Sequence, residues 1–112
     1  MSEISMSSMK KLITTLHDAV TTNTTSEVAI LGDGPRTIQA SITGTGTVSA
    51  TVTWYGSNIC SNTSGVICAT TSLSGTNSDV SGASVTAEWP FMYAVISSIT
   101  GTGAAVTTTI GE

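Results

Sequence analysis

Charged side chains are the scarcest thing in this sequence. They make up 9% of its 112 residues, where soluble domains ordinarily carry about 25%. No Asp, Glu, Lys or Arg occurs from Thr37 to Ser78, and none from Trp89 to Gly111. Soluble surfaces normally interleave both signs of charge, so two long stretches without either point to a surface that other protein covers. Cations are fewest of all: Lys10, Lys11 and Arg36 are the whole set, against a formal net charge of −4. Neutralising a phosphate backbone takes a basic stripe. Three cations cannot make one, so no nucleic acid partner is expected.

Long apolar runs are missing too. Nothing approaches the roughly 20 residues that span a bilayer, and the residues after Lys11 are interrupted by Thr14, Thr15, His17 and Asp18 before any signal-peptide core can form. No membrane association is expected, and synthesis in a cytoplasm is. The sequons at Asn23-Thr24-Thr25 and Asn62-Thr63-Ser64 are then incidental.

Catalytic and metal-binding residue types are as sparse. His17 is the one histidine, and its neighbour Asp18 adjoins it in sequence without the geometry of a base and its orienting group. The seven carboxylates, Glu3, Asp18, Glu27, Asp33, Asp79, Glu88 and Glu112, stand singly, so no paired acid and base is visible. One His and two Cys eight positions apart form no zinc set. A non-enzymatic protein without catalytic residues, metal or cofactor is the expectation.

What the chain has instead is alternation. Ile38, Ala40 and Ile42 alternate with Thr37, Gln39, Ser41 and Thr43; Val48, Ala50, Val52 and Trp54 alternate with Thr47, Ser49, Thr51, Thr53 and Tyr55. A period of two marks half-buried strands. Residues 66–73, 80–88, 91–99 and 104–110 read the same way, and 27–31 as a shorter strand. Aromatics are 4% of the chain, so the core is built from Val, Ile, Leu and Ala, with Trp89, Phe91 and Tyr93 expected as its anchors.

Between these runs lie turn signals: Gly32-Asp33-Gly34-Pro35, Gly44-Thr45-Gly46, Gly56-Ser57-Asn58, residues 62–65, residues 74–79 and Gly101-Thr102-Gly103. Ser41-Ile42-Thr43-Gly44-Thr45-Gly46 recurs unchanged as Ser98-Ile99-Thr100-Gly101-Thr102-Gly103. Each copy reads as a hairpin, a strand with a tight Gly turn and a returning strand. Neither is a phosphate loop, for want of the lysine and the helix. Seven or so short strands with such punctuation predict an all-β chain, a small β-sandwich of jelly-roll or Ig-like type over residues 23–112.

Residues 1–22 form an N-terminal arm or short helix. Met9, Leu12, Ile13, Leu16, Ala19 and Val20 fall near one helical face, while Ile13-Thr14-Thr15 is β-branched and equally suits an extended arm. Met9, Leu12, Ile13 and Leu16 are the candidate interface. Cys60 and Cys68 flank a hairpin tip at residues 62–65. A bridge between them, worth up to about 3 kcal/mol, and a pair of free thiols are both open.

Several successions of residues resemble small virion structural proteins of tailed bacteriophages, of the capsid decoration or cement kind. They are Leu16-His17-Asp18-Ala19-Val20-Thr21, Gly32-Asp33-Gly34, Arg36-Thr37-Ile38-Gln39-Ala40, Val48-Ser49-Ala50-Thr51-Val52, Gly56-Ser57-Asn58, Trp89-Pro90-Phe91-Met92-Tyr93-Ala94, and the run from Ile99 to Thr107. The likeness covers roughly residues 12–110 and departs at Ile59-Cys60, where relatives carry Asp-Gly. It implies a homo-oligomer bound to the major capsid protein on the virion surface, stabilising the phage head. A tail or fibre-joint protein is the structural alternative. A carbohydrate-binding sandwich is the alternative of another class, offering flat rows at Thr51-Val52-Thr53 and Thr107-Thr108-Thr109.

Overall fold

Alternation of apolar and hydroxyl side chains gives six antiparallel strands in the computed structural model, which describes residues 12–112: β1 Ile13–Val20, β2 Thr24–Thr25, β3 Ala29–Ile30, β4 Arg36–Ser57, β5 Val66–Val85 and β6 Phe91–Gly111. They hydrogen-bond in the order β1-β6-β4-β5, with β2 and β3 also on β6. A straight strand of 22 residues would be about 70 Å long at ~3.3 Å per residue. The described molecule measures 44 × 39 × 19 Å, so the long strands fold over on themselves.

The fold line falls where the sequence repeats. Register shifts interrupt the β4–β5 ladder between Thr43 and Thr47, and the β4–β6 ladder around the pair Thr45↔Thr102. The two Thr-Gly-Thr-Gly copies are therefore not hairpin tips, as their composition suggests. They are mid-strand bends that pair with each other. Gly46 and Gly103 have φ of 75° and 62°, a region open to glycine at little cost. Gly44 and Gly101 permit close approach, since a Cβ on either would stand 2.8 Å from Val48 Cγ1. At the same level β5 bends at Asn77 (φ 67°), whose Oδ1 accepts from Gly46 N at 2.8 Å.

Bending splits β4, β5 and β6 into halves and yields two four-stranded layers. One contains β1, residues 104–111 of β6, 36–43 of β4 and 78–85 of β5; the other contains β2 with β3, residues 91–100, 47–57 and 66–76. Counted along the chain as eight segments, the layers run 1-8-3-6 and 2-7-4-5. That is the order of a jelly roll.

Even-numbered residues of β4 and β6 point inward in both layers, because each bend preserves the alternation. Ile38, Ala40, Ile42, Val106 and Ile110 from the first layer join Val48, Ala50, Val52, Trp54, Met92, Ala94 and Ile96 from the second in one core. Trp54 is its one fully buried aromatic, with Nε1 donating to Thr71 Oγ1 at 2.9 Å. The expected anchors differ. Tyr93 is buried on the outer side of its layer, stacked on Tyr55 at 5.0 Å with its hydroxyl accepting from Gly65 N; Phe91 and Trp89 are half-buried. The alternate residues Met92, Ala94 and Ile96 fill the core, so Phe91 and Tyr93 face out, while Trp89, ahead of the strand, packs against the core as expected.

Candidate assembly surface

His17 and Asp18 diverge as strand neighbours do: His17 is buried against Thr108, while Asp18 is exposed. Among the described residues no three His, Cys, Asp or Glu side chains gather as a metal site, and no helix is long and apolar enough to cross a membrane.

The buried polar groups serve the fold. Arg36, at the first turn into β4, is 1% exposed and donates to the carbonyls of Trp89, Gly32 (2.7 Å) and Gly34 (2.8 Å), while its Nε is unpaired. It ties the Gly32–Pro35 loop to the segment that enters β6. His17 Nδ1 lies 2.7 Å from Thr108 Oγ1, and Nε2 is buried without a hydrogen bond. Burial pushes the imidazole below its usual range, with the Thr24 backbone opposing it more weakly.

The N-terminal strip is only partly a free surface. Residues 13–20 are a strand of the first layer, paired to β6, so the extended alternative holds there and the helix does not form. The β-branched run favours this, and β6 offers an edge to pair with. Leu16 packs against the core, whereas Leu12 and Ile13 remain about 60% exposed (61% and 59%). Met9 lies outside the described residues. Cys60 sits exposed in the loop after β4, and Cys68 is half-buried in β5 at the register shift opposite Trp54 and Tyr55. Both are unbridged thiols.

The surface that stands out is the one with no charge. On the first layer Thr37, Gln39, Ser41 and Thr43 of β4 lie between Ala105, Thr107 and Thr109 of β6 and Val80, Gly82 and Ser84 of β5. A groove of ≈ 560 Å³ crosses this exterior from Ile13 to Val80. A second depression, ≈ 330 Å³, opens beside β5 among Ile67, Cys68, Ala69, Val85 and Trp89. The sequence hinted at a covered exterior through its uncharged stretches. It did not indicate β5, because nothing local separates an edge strand from a central one.

Compared with protein-family models, with curated proteins and with solved structures, the chain matches none.

Proposed function

We propose that this protein is a non-enzymatic structural component of a tailed-phage particle, a decoration (cement) protein that binds and stabilises the assembled head. The observation that carries the reading is the uncharged outward row of β4 in the first layer, with the β6 and β5 residues that flank it. Soluble surfaces usually interleave charges of both signs, and contact with another protein removes the need for them. The jelly-roll order suits it, since the architecture recurs in capsid proteins, although fold alone does not fix function. The residue likeness described above points the same way.

Attachment to purified capsids is the test. Full-length protein is expected to co-sediment with mature heads and to appear by imaging as hundreds of copies per shell. A few to dozens of copies at the tail would replace this reading with the fibre-joint one, and no attachment to either would end both. The carbohydrate-binding reading would have to rest on Trp89, which lines the smaller depression, since Trp54 and Tyr93 are buried; a glycan array without hits would retire it.

A further inference from the structure

We propose that the chain self-associates through the free edge of β5, with residues 79–85 of one copy pairing antiparallel to the same residues of a second copy. The inference rests on how the sheet edges are built, not on where the protein is used, so its failure would leave the capsid reading standing.

A free strand edge is a row of unpaired N–H and C=O groups, and proteins blunt such edges with charge, proline, bulges or very short strands. The other edges of this sandwich are blunted. The β1 strand has two register shifts against β6, a positive φ at Ala19 and the exposed charge of Asp18. On the second layer the edge consists of β2 and β3, two residues each. The β5 strand has 20 residues and ends the strand order, and among the described residues it pairs with β4 alone. It contains no proline and a single charge, Asp79, whose carboxylate turns to Ser74 N at 2.8 Å.

Within β5, residues 80–84 of the first layer are exposed or half-buried in succession, before Val85 turns into the core. Val80, 60% exposed, and Ser84 line the outer groove; Ser84 and Val85 also line the cleft on the inner side. Ala83 pairs with Ile38 and so points toward the core, yet it is exposed. A strand laid alongside would put alternate side chains into each depression.

The occupant is a second copy because the segment complements itself. Centred on Gly82, antiparallel pairing sets Val80 opposite Ser84 and Ser81 opposite Ala83, and holds the two Asp79 carboxylates about 20 Å apart at ~3.4 Å per residue. No like charges oppose each other, and the first layers of two copies join into one continuous eight-stranded sheet. Such an edge buries roughly 400 Å² per copy, about half of a standard interface. An interface of that size belongs to the weak, transient class, so the dimer is expected to populate only toward high protein concentration.

Sedimentation equilibrium of the full 112-residue chain from 5 to 500 μM, with hydrogen exchange at both ends of that range, tests this. A monomer–dimer equilibrium is expected, with amides of residues 79–85 protected only at high concentration. Val80→Lys, at an exposed site, is expected to keep the β-sheet circular dichroism and weaken the dimer at least tenfold, while Ile30→Lys, exposed on β3 at the edge of the second layer, leaves it unchanged. A monomer throughout, a dimer indifferent to Val80→Lys, or protection arising on β1 instead would each overturn the proposal.

Discussion

Acid should loosen this sandwich through one residue. His17 is the sole histidine and is 3% exposed; its Nδ1 is committed to Thr108, and its Nε2 has no hydrogen bond. Burial lowers its folded-state pKa below the ordinary 6.5. A group whose charged form is disfavoured by folding binds its proton more readily in the unfolded chain. Its contribution is therefore fully present above about pH 6.5 and drains away as pH falls toward the depressed folded value. The limiting slope is about 1.36 kcal/mol per pH unit, so a histidine that stayed neutral throughout would cost about 2 kcal/mol of stability between pH 6.5 and 5.0. His17 sits on the edge strand β1, and the Thr24 backbone favours the charged form. The loss is therefore expected to fall below that ceiling. Urea unfolding at pH 7.5 and 5.0, for the native chain and for His17→Asn, isolates it. Asn keeps a hydrogen-bonding atom near Nδ1 but cannot titrate, and the carboxylates common to both chains cancel in the difference. Equal pH dependence in the two proteins would refute the argument.

Three further outcomes follow from single contacts. Thr71→Val should cost about 1–3 kcal/mol in urea unfolding, because it strands Trp54 Nε1 in the core without changing side-chain shape. Arg36→Met should lower stability by about 3 kcal/mol: three charge-assisted bonds are lost, although the Gly32 and Gly34 carbonyls can partly rehydrate; a thermal midpoint within a degree or two of the native one would contradict this. Cys60 should alkylate well before Cys68 when followed by mass spectrometry at pH 8. The Cys60 thiol is exposed, whereas burial raises the Cys68 thiol against a weaker opposing pull from Arg36.

The sequence by itself determined the alternation, and with it the all-β class, the inward row of β4 from Ile38 to Trp54 and the uncharged face opposite. Period-two patterning is a local property of consecutive residues, so it needs no knowledge of partners. It could not decide which of two alternating rows in β6 faces in, because aromatic Phe91 and Tyr93 outweigh Met92 and Ala94 in hydrophobic area but not in register with Trp54. The tertiary structure alone decided that the Thr-Gly-Thr-Gly copies bend strands instead of reversing them. Glycine at φ > 0 serves a hairpin turn and a mid-strand bend equally well, and only the cross-strand pairing of Thr45 with Thr102 distinguishes them. Edge identity is of the same kind. Whether β1 or β5 lies bare depends on which strands flank β4 and β6, and that is fixed by long-range hydrogen bonds that no neighbouring residue encodes.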